Sequence, residues 1–153
     1  MSRLELRIPP DIVWLVVAGL MWLIATWTPR LPFPPWLGIG AALTLAAAGV
    51  ALIASARASL AKASTTWRPT TPDKTTSLVV SGVYRYTRNP MYLVMLLMLL
   101  GLAVALESTA AWLASGIFVL YINRFQIEPE ERALTLTLGQ DYLDYTLRVH
   151  RWI

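Results

Sequence analysis

Two polar segments of this 153-residue chain carry the residue types that do chemistry. The first is Gly82-Val83-Tyr84-Arg85-Tyr86-Thr87-Arg88-Asn89-Pro90-Met91-Tyr92. The second runs from Arg124 through Glu128, Glu130 and Glu131 to Arg151-Trp152. There is no cysteine, which excludes disulfides, thiolate metal sites and cysteine nucleophiles. The single histidine, His150, leaves no protein-only zinc site, and without partners it reads as solvent-facing. The chemistry left to arginine, glutamate, tyrosine and asparagine is charge pairing and hydrogen bonding, the work of binding and orienting.

The elements that position these residues are apolar. The chain is 56% hydrophobic and 14% charged, against roughly a quarter charged in an average soluble domain. Charge is absent from Ile12 to Pro29, from Leu31 to Ala56, from Asn89 to Leu106 and from Ser108 to Asn123. A bilayer crossing takes about 20 apolar residues, and Arg124 can snorkel to extend the fourth stretch by a turn. The fold class is therefore an all-α integral membrane bundle, one domain over 1–153, with spans near 12–28, 36–56, 90–106 and 109–127. A cytoplasmic loop over 57–89 and C-terminal cytoplasmic helices over 128–150 complete it. A signal peptide is the competing reading of the first span, but Thr26-Trp27-Thr28-Pro29 offers no small-x-small cleavage site.

Of 13 Lys and Arg, only Arg30 lies on the side opposite the termini and the central loop. The positive-inside rule then makes the protein multi-pass, with cytoplasmic N- and C-termini. Trp14, Trp22, Trp27, Trp36, Trp112 and Trp152 lie mostly near span ends, where indoles favour the interface. Span two is rich in Gly and Ala from Gly38 to Ala51, which predicts close packing inside the bundle. Gly38-Ile39-Gly40 follows no strand, so it reads as packing rather than as a phosphate-binding turn.

Spans three and four are joined by only Glu107-Ser108-Thr109, a tight hairpin whose cytoplasmic ends must be neighbours. This brings Arg88, Tyr92, Arg124 and the glutamates together. The long loop has a polar middle over 70–77, whereas Leu78 to Tyr86 should press onto something. Beyond Ile127, Glu130 to Leu138 reads as one helix, Gly139 as a break and Gln140 to Val149 as a second. Leu134, Leu138, Tyr142, Tyr145 and Val149 share one helical face, while the Leu-Thr alternation over Leu134–Leu138 leaves a strand open there. Taken singly, the polar residues also have structural readings. Asn89 and Pro90 suit a helix start, Glu130 and Glu131 suit a helix N-terminus, and Arg88 and Arg124 suit interfacial anchors.

The pattern Gly82-x-Tyr84-Arg85-x-x-Arg88-Asn89-Pro90-x-Tyr92, followed by Glu130-Glu131-x-x-Leu134-x-x-x-x-Gly139-x-x-Tyr142-x-x-Tyr145 and Arg151-Trp152, resembles the isoprenylcysteine carboxyl methyltransferase family. The broader group includes membrane phospholipid N-methyltransferases. The resemblance implies S-adenosylmethionine as methyl donor, bound at the mouth of the hairpin under the C-terminal helices. By position it places Tyr84, Arg88, Asn89, Pro90, Tyr92, Glu130 and Glu131 in the cofactor site. It also makes Arg124 and Glu130 the candidate catalytic residues, with no metal. The glutamates suit the cofactor's ammonium or ribose, Arg88 its carboxylate, and the tyrosines its purine. Arg124 suits an anionic acceptor entering from the lipid. Asn89 stands where the family often has histidine, and it cannot titrate near neutrality, so it is not assigned as a base.

The leading reading is thus a membrane methyltransferase acting on a lipophilic or amphiphilic acceptor, with membrane lipids as surroundings. The alternative is a non-catalytic four-helix membrane protein, an assembly or regulatory subunit. A transporter is disfavoured because no charge lies within the spans. Nucleic-acid binding lacks a basic stripe interleaved with aromatics. Acceptor identity and oligomeric state are not legible in the sequence.

Overall fold

The computed structural model describes residues 5–31, 34–62 and 78–153. Among these residues every regular element is helical, apart from an isolated bridge between Arg30 and Ser108. The helices are α1 (Pro10–Ala25), α2 (Pro35–Lys62), α3 (Pro90–Ala105), α4 (Thr109–Ile122), α5 (Glu128–Leu138) and α6 (Gln140–Arg148). The strand alternative over Leu134–Leu138 is thereby excluded. The polar middle of the central loop, residues 70–77, lies outside the described residues.

Both α1 and α3 open with proline at the first helical position, where the missing N–H is no loss. At the end of α1 the hydroxyls of Thr26 and Thr28 bond the carbonyls of Leu23 and Ile24, and Pro29 follows. The α3–α4 turn is as tight as its sequence suggests: Glu107 adopts a left-handed φ of 52°, and Ser108 caps α4 by accepting from the Ala111 amide. The α1–α2 connection is stitched to that turn. Leu31 N–H donates to the Glu107 carbonyl at 2.6 Å, and the hydroxyls of Thr28 and Ser108 lie 2.8 Å apart.

The second helix departs from expectation twice. It continues six residues beyond the predicted end at Ala56, because Arg57 to Lys62 are helix-compatible and their inner side finds cover. Ala56, Ser59 and Leu60 are buried beneath a 3-10 turn at Gly82–Arg85. Gly82 has a φ of +61°, and a Cβ there would fall on the Ser59 hydroxyl, so only glycine fits. Nor does α2 sit inside the bundle. Its small residues serve one close approach to α3, with Gly101 against Ala42 and Gly49 against Val94. An 18-residue apolar window of this helix, of mean hydropathy 2.2, is only 11% buried. It is the one helix long and apolar enough to cross a membrane among the described residues; α1 and α3 are apolar but shorter. A helix this apolar and this uncovered is a candidate membrane span.

The buried core lies where α1, α3 and α4 meet, with Met21, Leu99, Phe118, Ile122 and Ile127 fully enclosed. A second cluster joins Tyr142, Tyr145 and Val149 with Leu78, Leu134 and Leu138. The predicted helical face is therefore the one that packs, and Leu78 is what presses onto it.

Helix α4 does not stop before α5. Asn123–Ile127 forms a π-turn, so α4, the π-turn and α5 make one continuous helix. The expected free helix N-terminus beneath Glu130 and Glu131 is absent. The cause is Pro129, which has no N–H for the Phe125 carbonyl and would clash with it in a regular α-helix. Widening to a π-turn relieves the clash, and the released Phe125 carbonyl accepts instead from Leu6 N–H at 3.1 Å.

Candidate functional site

The polar residues gather at the end of the bundle opposite the stitched turns. Tyr92, one turn into α3, donates its hydroxyl to Glu130 Oε1 at 2.6 Å. The two residues are 38 apart in sequence, and the α3–α4 hairpin is what brings them together. Burial drives the Glu130 carboxyl up to about 8; the Tyr92 hydrogen bond opposes that rise, and neighbouring Glu131 adds to it. Glu130 is therefore largely a neutral acid at pH 7.

Glu131 faces the other way and is held by two arginines. Arg88 Nη2 lies 3.2 Å from Oε1. Arg151 grips both oxygens, Nε at 3.0 Å and Nη2 at 2.7 Å, in the planar fork that arginine alone supplies. Arg88 Nε is buried with no hydrogen-bond partner, and a buried donor of that kind costs about 1–3 kcal/mol. The Arg88 guanidinium is thus only partly used by the protein.

Asn89 occupies the position before α3, but its side chain does not cap that helix. Its Nδ2 donates to the Arg151 carbonyl at 3.0 Å, while Thr87 Oγ1 accepts from the Asn89 amide. The expected capping role is replaced by docking of the C-terminal segment, to which Thr87 Oγ1 also donates at the Arg151 carbonyl. Arg88 N–H donates to the His150 carbonyl, and Trp152 Nε1 donates to Asn123 Oδ1. The His150 side chain is exposed. Pro90 is buried at the first turn of α3.

Above this network lie three tyrosines. Tyr145 donates to the Tyr84 carbonyl at 2.7 Å. Burial pushes the Tyr84 hydroxyl up to about 12. Tyr142 also rises to about 12, through burial and then Glu131, with Arg88 pulling it back. All of them stay neutral and able to donate. Beside Glu131 and Arg151 runs an open groove of about 550 Å³, lined also by Glu128, Arg132, Thr135 and Leu136. That volume is within the range of small-ligand sites.

Arg124 stands apart. It is half-exposed and pairs with Glu5 at 3.3 Å and Glu128 at 3.1 Å, not with Glu130 or Glu131. The sequence-predicted set thus divides into a half-buried network of Arg88, Tyr92, Glu130 and Glu131, and an exposed one around Arg124. Arg151, Tyr142 and Arg132 are additions to it. The terminal Arg-Trp pair and the tyrosines of the helical face were visible as signals for the first two. No signal marked Glu5. Among the described residues no group of side chains is arranged to hold a metal ion.

An uncharacterized protein of Haemophilus influenzae is 44% identical over 63 residues, which is all of that protein and 41% of this chain. No solved structure matches. The family model for phospholipid methyltransferase matches residues 37–141, which takes in α2 to α5 and both polar segments as far as Asp141. The chain belongs to the phospholipid methyltransferase family, whose members are membrane methyltransferases related to the isoprenylcysteine carboxyl methyltransferases.

Proposed function

We propose that this protein is a single-domain, four-span methyltransferase that uses S-adenosylmethionine and methylates a lipophilic or amphiphilic acceptor at the cytoplasmic membrane face. The spans are α1, α2, α3 and α4, and the Lys and Arg distribution sets both described ends on the cytoplasmic side. The observation that carries the reading is the paired environment of Glu130 and Glu131, one against Tyr92 and the other clamped by Arg88 and Arg151.

The donor set suits the cofactor. Arg88, with its unpaired buried Nε, has a guanidinium edge for a carboxylate. Glu130 or Glu131 takes an ammonium or ribose hydroxyls. Tyr84, Tyr92, Asn89 and Pro90 line the same end, where aromatic faces receive a purine. When bound, S-adenosylmethionine supplies a methyl group on a sulfonium that is open to in-line displacement. The protein's part is to hold acceptor and methyl group about 3–3.5 Å apart and aligned. Arg124, half-exposed where α4 passes into α5, is the residue we assign to an anionic acceptor. A carboxylate or thiolate acceptor needs no base. An ammonium acceptor must lose a proton first, and Glu130, titrating near 8, can receive it at a carboxylate oxygen once ionised.

The test is titration calorimetry with S-adenosylhomocysteine. Wild type is expected to bind, and Arg88→Gln and Glu131→Gln each to weaken binding at least tenfold, an estimate from one charge-assisted hydrogen bond. Wild-type affinity in both variants overturns the site assignment. No heat and no thermal shift with wild type would favour the non-catalytic reading. Radiolabelled methyl transfer into lipid, small-molecule and peptide extracts then identifies the acceptor.

A further inference from the structure

A second group of charges collects where α4 passes into α5: Arg124, Glu128, Arg132 and, from the segment before α1, Glu5. Exposure separates them. The Glu5 side chain is 4% exposed, whereas those of Arg124 and Arg132 are 51% and 49% exposed. Glu5 offers one oxygen to each arginine, Oε1 to Arg124 Nη1 at 3.3 Å and Oε2 to Arg132 Nη2 at 2.6 Å. Two half-exposed guanidinium groups therefore converge on one oxyanion, and the protein itself supplies that oxyanion.

The segment delivering Glu5 is strained and held from outside. Leu6 has a φ of +56°, a left-handed backbone that costs a non-glycine residue roughly 1–2 kcal/mol. Its N–H is tied to the Phe125 carbonyl that Pro129 left free, and the buried Gln126 side chain donates to the Ile8 carbonyl at 2.7 Å. Strain of this kind persists where surrounding contacts over-determine it, and it gathers at clamps and switches. Exchange is also chemically like for like: withdrawing Glu5 takes one negative charge from the two arginines, and one singly charged oxyanion replaces it. Arg132 and Glu128 further line the 550 Å³ groove shared with Glu131 and Arg151, and exposed Leu136 adds an apolar wall.

We propose that Arg124 and Arg132 form a binding site for the oxyanion head of an amphiphile, and that Glu5 is an internal carboxylate displaced when that head binds. Taking the amphiphile to be the methyl acceptor rests on the function proposed above; the site itself does not.

The test titrates purified protein in non-ionic detergent with dihexanoyl phosphatidylglycerol, with dihexanoylglycerol as the phosphate-free control and inorganic phosphate as a separate arm. Glu5→Gln is expected to tighten phosphatidylglycerol binding about tenfold, and Arg132→Gln to weaken it about tenfold, one charge-assisted contact each. Glu5→Asp, which keeps the charge and shortens the reach, should fall between wild type and Glu5→Gln; it serves if Glu5→Gln does not fold. Equal affinity across all variants, or equal binding of dihexanoylglycerol, overturns the site. Inorganic phosphate binding as tightly as the lipid would overturn the assignment to an amphiphile's head. A parallel S-adenosylhomocysteine titration of wild type reports on the methyltransferase reading alone, so the two failures are distinguishable.

Discussion

The hydrogen bond between Tyr92 and Glu130 gives a single proton a measurable role. An ordinary unfolded glutamate ionises near 4.5, and folding raises Glu130 to about 8. The folded state therefore binds more protons than the unfolded state between those values. Stability contributed by this group is full below about 4.5 and is lost as pH rises through about 8. The size is on the order of a few kcal/mol. The expected result is a melting temperature that falls between pH 5 and 9 in wild type and is flatter in Glu130→Gln. Tyr92→Phe removes the bond that lowers Glu130, so its midpoint should move upward. A cationic ligand placed against Glu130 would ionise it, and calorimetry at pH 7 in buffers of different ionisation enthalpy should then register release of about one proton. Neither the neutral state of Glu130 nor the clamp on Glu131 was legible from the sequence. Two adjacent glutamates look alike on paper, but on a helix they point about 100° apart, and only packing decides which is dry.

At the scale of elements, Pro129 shapes the passage from α4 to α5. It breaks the regular hydrogen-bond ladder, produces the π-turn over Asn123–Ile127 and frees the carbonyl on which Leu6 docks. Pro129→Ala restores a donor to Phe125. The turn should then relax toward a regular α-helix, rotating Glu130 and Glu131 away from Tyr92 and Arg88. The expected signature is unchanged helix content by circular dichroism, with at least tenfold weaker S-adenosylhomocysteine binding; unchanged affinity would show that the π-turn does not set the site. The helices themselves were readable, because charge gaps and proline starts place α1, α3 and α4 to within a few residues. The overrun of α2 was not, since Arg57 and Lys62 look like the start of a loop until the turn at Gly82 is seen covering Ser59. Nor was the join between α4 and α5, because a proline followed by two glutamates carries the same local signals as a fresh helix start.

At the scale of the molecule, charge asymmetry sets the expected orientation and the hairpin sets which ends meet. With no native cysteine in the chain, the topology can be probed directly. Thr26→Cys should react with an impermeant maleimide from the side opposite the cytoplasm, and Thr137→Cys only from the cytoplasmic side; labelling of both from one face would end the four-span reading. The polar end around Glu131 was visible as composition, whereas the uncovered face of α2, expected to pack inside the bundle, was not; nor was the division of the polar end into two charge networks, because it depends on where a strained N-terminal segment lands. The stitched turns at the opposite end, Leu31 to Glu107 and Thr28 to Ser108, have one further effect. They are the outer of two sets of ties. Helices of 14–16 residues such as α1, α3 and α4 are about 24 Å long at 1.5 Å per residue. At the charged tip Leu6 is bonded to Phe125, Gln126 to Ile8 and Tyr92 to Glu130. Laced at both tips, the three helices hold the spacing of the polar end from two sides, much as a frame is squared by braces at opposite corners.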